Sequence, residues 1–168
     1  MSGTEKETDV SDMIQTSAEA VEAAALPDAG AVLAVANAPA TAEQRPLPAG
    51  VAKKSPEQKS PAQWAYERII LYIQNFEEQL DGEHEVAMGF TGGTTGTMRI
   101  QGMGFFAPDI ITYYGQDESG ARTQLVQHVS QLNVMLRAIP KAAEAPEANR
   151  IGFQLGAALD ENGDDSAQ

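Results

Sequence analysis

The sequence contains no cysteine, so disulfide staples, thiolate metal sites and cysteine nucleophiles are excluded, and any metal ligation falls to His, Asp and Glu. Basic residues are scarce: Lys+Arg 11 against Asp+Glu 24 give a net charge of −13 over 168 residues. A chain of that sign repels phosphate backbones and anionic lipid, so neither nucleic acid nor a membrane surface is an expected partner. Long apolar runs are missing, and so is a basic stretch ahead of an apolar one or an Arg-rich transit pattern near residue 1. The expectation is a cytoplasmic protein. Aromatics make up only 6% of the chain, and all ten lie between Trp64 and Phe153, which places the expected core in that stretch.

What is present divides the chain in three. Residues 1–59 hold five of the nine prolines and an Ala/Glu-rich run from Ala18 to Ala42. Alanine and valine there bury too little surface to offset the entropy of ordering, so 1–59 is expected to be a disordered arm. Within it, Gly30–Ala36 is short and apolar, a candidate docking peptide for a protein partner. Residues 60–159 form the expected α+β domain, and 160–168, with four acidic and no basic residues, an acidic disordered tail.

The domain opens on Ser60-Pro61-Ala62-Gln63, a cap residue, a proline at the first helical position and a Gln at the third. Ala62, Tyr66, Ile69, Ile73, Phe76 and Leu80 follow at helical spacing until Asp81-Gly82 closes the helix. Trp64, Ile70 and Leu71 make a second apolar face, which requires either the preceding segment or another subunit to cover it. From Glu83 the period changes to two: Val86, Met88 and Phe90, then Met98 and Ile100, then Ile111 and Tyr113 mark three strands. The turn Thr91–Thr97, rich in glycine, joins the first two as an antiparallel hairpin. Leu125, Val129, Leu132, Leu136 and Ile139, spaced by four, three, four and three, predict a second helix with Leu132 fully buried, and Ile151-Gly152-Phe153-Gln154-Leu155 predicts a last strand. The expected order is α-β-β-β-α-β, an antiparallel sheet with helices packed on one face.

Tyr113-Tyr114-Gly115-Gln116-Asp117, the run Gln124–Asn133 and Arg150-Ile151-Gly152-Phe153 resemble a small bacterial domain family of unknown function. That resemblance spans roughly residues 60–155 and implies neither an activity nor catalytic residues.

No constellation satisfies the roles a reaction needs. The glycines Gly92, Gly93 and Gly96 lack the lysine and spacing of a phosphate loop. His84 and His128, 44 positions apart, form no metal clamp, and no cofactor is implied. His128 could be oriented by Asp109 or Asp117 and could face Ser130, Thr123 or Tyr114, yet no nucleophile motif accompanies it. Asp117-Glu118-Ser119-Gly120 lacks the alternating ligands of a calcium loop.

The leading expectation is a non-catalytic interaction or assembly module, self-associating through Trp64, Ile70 and Leu71 of the first helix, most simply as a dimer. The alternative is a small-ligand (nucleotide or metabolite) sensor whose pocket, between sheet and helix, is lined by Arg99, Phe105, Phe106, Tyr114, Arg122 and His128. A small hydrolase ranks third.

Overall fold

The computed structural model describes residues 38–90 and 96–164, with side chains to 161. Its elements are α1 (Ala49–Ala52), α2 (Pro61–Glu77), β1 (His84–Phe90), β2 (Thr97–Phe106), β3 (Ile110–Gln116), β4 (Arg122–His128), β5 (Val134–Pro140) and α3 (Ile151–Asp164), with short 3-10 turns at Ala42–Gln44, Pro56–Gln58 and Val129–Gln131. The fold is α+β, and its five strands pair antiparallel in the order β4-β3-β2-β1-β5.

The start of α2 follows the expected chemistry: Ser60 Oγ accepts the backbone N–H of Gln63 at 3.1 Å, and Pro61 occupies a position whose N–H has no helical partner. Ile69 and Ile73 of α2 meet Val86, Met88, Met98, Ile100, Ile111 and Tyr113 of the sheet, and Ile151 of α3 joins the same cluster. The first three strands lie where the period of two placed them.

Two elements differ from the sequence expectation. Residues 122–139 form two strands separated by a 3-10 turn, and the last strand is instead the first turn of helix α3, so from α2 onward the order is α-β-β-β-β-β-α. In β4 the half-buried Thr123, Leu125 and Gln127 alternate with exposed Arg122, Gln124, Val126 and His128, a period of two that coexists with the helical spacing of the leucines. β4 pairs along its whole length with β3, and β5 along its whole length with β1. Those ladders outweigh the helical spacing, because a lone amphipathic helix derives most of its stability from packing and these residues obtain both packing and cross-strand hydrogen bonds as strands. Conversely Ile151 and Leu155, four apart, both face the core from α3. Leu132 is 39% exposed, not buried. Leu132→Ala is therefore expected to cost no more than about 1 kcal/mol in urea unfolding, against about 2–5 kcal/mol for Ile73→Ala.

Five residues separate His128 from Val134, yet His128 pairs with Ile110 at one end of the sheet and Val134 with Phe90 at the other. In a flat sheet those points would lie about 35 Å apart, beyond the roughly 20 Å that six extended links can cover. The sheet must therefore coil about its apolar face until β4 runs on into β5. The bend sits in β2, whose register with β3 shifts between Ile100 and Gly102; β1 pairs with the strand before that bulge and β3 continues beyond it.

Residues 41–59 of the expected arm are ordered. From Thr41 the chain packs against the helices, burying Ala42, Val51 and Lys59, and α1 lies against α3. Residues 160–164 continue α3 and are not tail. Residues 1–37, with the Gly30–Ala36 segment, the loop residues Gly92 and Gly93, and 165–168 lie outside the described residues.

Candidate functional site

Cross-strand partners in an antiparallel pair put their side chains on one face. By that register Arg99, Gln116 and Arg122 form one row on the outer face of the sheet, Gly102, Tyr114 and Gln124 the next, Gly104, Thr112 and Val126 the third, and Phe106, Ile110 and His128 the last. Five of the six expected ligand contacts thus share a face. It is the outer face, however, and not a pocket between sheet and helix. Phe105 points the other way, its ring centroid 5.1 Å from that of Tyr66 on α2.

The outer face has two unlike halves. Over β1 and β5, Arg99 is ion-paired to Glu85 and donates to the Pro140 carbonyl at 2.9 Å, while the second Glu85 oxygen accepts the Asn149 backbone N–H at 2.9 Å. That network ties the Lys141–Arg150 connection to the sheet, and Arg150 adds bonds to the His84 and Asp81 carbonyls, each 2.7 Å. Arg99 is consequently committed to structure. Over β3 and β4 the face is uncovered: Phe106 is 76% exposed, Val126 59% and Tyr114 40%. The Tyr114 ring lies along Gly102 and Gly104, within 3.9 Å of where a Cβ on either would sit, so two glycines let an aromatic ring lie flat on the sheet with its other face in solvent.

His128 closes the last row. Its Nδ1 accepts the Ser130 backbone N–H at 3.1 Å and lies 2.7 Å from Ser130 Oγ; that assigns the ring proton to Nε2, which donates to Asp109 Oδ2 at 2.9 Å. The sequence reading named Asp109 and Ser130 among the companions of this histidine, and the structure brings both to it. A carboxylate–imidazole–hydroxyl chain is the skeleton of acyl-transfer sites. Here it caps the 3-10 turn Val129–Gln131, and the N–H nearest the hydroxyl is already donated to Nδ1 instead of facing a reacting carbonyl. Asp117 takes Ser119 Oγ and the Ser119 and Ala121 N–H groups, which hold its carboxyl below the usual range as an ordinary turn cap. Among the described residues no group of three or more His, Asp or Glu is placed to hold a metal ion.

The expected interface on the first helix is partly covered by the chain itself, with Trp64 and Leu71 half-buried. Ile70 is fully buried. Trp64 carries Lys59 Nζ 5.5 Å and the Arg68 guanidinium 5.7 Å from its ring centroid. Leu71 sits in a groove of about 460 Å³ with Ala42, Pro46 and Pro48, rimmed by the Arg45–Glu78 ion pair. Of the two coverings the second face allowed, the preceding segment is the one observed.

The sequence does not single out Val126, Ile110 or the buried charges Lys59 and Glu67, and it reads Glu77-Glu78 as a solvated helix end and Glu83/Glu85 as a solvent-facing strand side; Glu77 and Glu85 are instead buried. The alternation in Arg122–His128 was the available signal for Val126. Nothing local marks the buried charges, because their partners lie on other elements.

These observations define an α+β domain in which a coiled five-stranded antiparallel sheet carries a helical layer on its inner face and an uncovered apolar half on its outer face. The chain belongs to the family of unknown function DUF6173, whose model matches residues 57–154. Comparison with curated proteins and with solved structures found no match. No helix among the described residues is long and apolar enough to cross a membrane.

Proposed function

We propose that the domain is a non-catalytic assembly module that self-associates through the β3–β4 half of its outer sheet face. The observation that carries this reading is the exposure of Phe106, Tyr114 and Val126 in separate rows of one sheet face. A single exposed apolar side chain is ordinary, but several large ones on the same sheet face mark an interaction site. Helix α2 offers a smaller surface, since Ile70 is buried and Trp64 and Leu71 are already half-buried.

Sedimentation velocity on the full chain from about 1 to 100 μM is the test, a range that spans the weak association expected of a patch this small. The unsubstituted chain is expected to associate, and the Phe106→Ser/Val126→Ser double variant to remain monomeric. Because both side chains already face water, the variant's unfolding free energy is expected to stay within about 0.5 kcal/mol of the parent per site. A parent that is monomeric throughout the range sinks the proposal.

A further inference from the structure

We infer that the assembly is a two-fold dimer in which strand β4 pairs antiparallel with β4 of a second copy, with Arg122 of each chain set against Asp109 of the other. This rests on the self-association proposed above and places its contact at the β4 margin of that face.

β4 is an edge strand with seven residues paired to β3 in unbroken register. Folded chains guard such edges with proline, bulges or clustered charge, and β4 has none of them: Arg122-Thr123-Gln124-Leu125-Val126-Gln127-His128 holds no proline and no acidic residue. Its neighbouring bonds in sequence run inward or along the strand, as when Val129 donates to the Asp109 carbonyl at 2.9 Å. The other edge, β5, is guarded: Pro140 has no N–H to give, and Arg137 at its centre would meet its own copy in a two-fold pairing.

Antiparallel self-pairing centred on Leu125 matches all seven residues. It sets Gln124 opposite Val126 and Arg122 opposite His128 of the second copy, and keeps every exposed side chain on the outer face. The charges are self-complementary in this arrangement. Arg122 stands at one end of the strand with no ion-pair partner among the described residues. The Asp109 carboxylate stands at the other end, on His128 Nε2, and is 39% exposed. A two-fold axis brings the two together twice, as an isologous interface requires. It also packs Val126 of each copy beside Gln124 of the other across the axis, at the margin of the apolar face. In a chain of net charge −13, a second copy approaches favourably along a strand edge that carries positive and no negative side chains; β5 carries such a residue too, but Arg137 sits at its centre, where a two-fold pairing would set it against itself.

Sedimentation equilibrium of four full-length chains tests the geometry: the parent, Arg122→Asp, Asp109→Arg, and the double reversal. Each single variant is expected to weaken the dimer at least about tenfold, and the double variant to recover to within about threefold of the parent, because opposite charges again face each other across the axis. Circular dichroism melts confirm that each variant is folded. Val126→Lys, which puts a charge at that margin without touching the Asp109–His128 contact, is expected to give a folded monomer. If the parent dimerises and Phe106→Ser/Val126→Ser abolishes it, but the double reversal is no better than the singles, the β4–β4 pairing is wrong and the outer-face module stands. A dimer unaffected by Val126→Lys overturns both, as does a monomeric parent.

Discussion

Replacing Glu67 by Ala should lower the unfolding free energy by about 3–5 kcal/mol, the largest single loss anticipated for this domain. Lys59 and Glu67 form an ion pair at 2.7 Å whose side chains are only 1% and 8% exposed. The ammonium also donates to the Val51 carbonyl, and the other Glu67 oxygen accepts from Gln63 Nε2 at 3.1 Å. Two desolvated charges roughly balance when each is paired, so the pair as a whole contributes little. Removing one partner leaves the other buried and uncompensated. Lys59→Met/Glu67→Leu should therefore lie much closer to the parent than either Lys59→Met or Glu67→Ala alone, a coupling that a double-mutant cycle in urea measures directly. The pair also latches the segment that covers α2. In Glu67→Ala the Val51 and Lys59 amides should exchange with solvent well before global unfolding, whereas those of β1 should not. Equal losses in the single and double variants would show that packing volume, not charge compensation, decides this site.

The second large effect is expected at Glu77, the last residue of α2. Its side chain is fully buried, and its two oxygens accept the Gly152 and Phe153 N–H groups at 2.9 and 3.2 Å. A carboxylate on the unsatisfied amides at the start of a helix is favoured by both hydrogen bonding and the helix dipole. Burial opposes this and prevails, pushing the carboxyl above its ordinary value despite those bonds and the nearby Arg150. Gly152 is required for the approach: a Cβ there would stand 2.8 Å from the Gln74 nitrogen and from the Glu77 carboxylate. Glu77→Ala should cost about 2–4 kcal/mol, since it strips two amides of their partner and opens a void. The pH dependence follows from the raised value. The folded state binds this proton more readily than the unfolded chain, so the penalty of burying the charge is fully present above the folded pKa. It is relieved as pH falls through that value to the unfolded one, near 4.5. Comparing the parent with Glu77→Gln between pH 8 and 4 isolates this contribution. The parent should gain stability relative to the variant as the pH falls, and a difference that stays flat or runs the other way would contradict the assignment.

Both sites show what the sequence could and could not reveal. Glu77 stands beside Glu78 and reads locally as a solvated helix end, and no near neighbour in sequence marks Glu67 as buried. They are buried because Lys59 and the start of α3 arrive from elsewhere in the chain. The candidate ligand residues fared differently. Arg99, Phe106, Tyr114, Arg122 and His128 were grouped by chemistry, and the register of three strands places them on one face. Their arrangement as a surface and not a pocket follows from the inward-facing alternation of Leu125 with Tyr113 and Met103, which gives the helices the other side.

The sequence alone determined the features that depend on near neighbours: the Ser60-Pro61 helix start, the period-two runs of β1 to β3, and a main core cluster within the stretch that holds every aromatic residue. Tertiary structure decided the rest. Leu125–Ile139 satisfies a helical spacing and a strand alternation at once, and the free energy that chooses between them comes from ladders to β3 and β1, residues far away in sequence. Residues 41–59 carry too little apolar surface to order themselves, and they are ordered because α2 presents a second face that must be covered. In each case local propensity was nearly neutral, so a contact between distant parts of the chain carried the decision.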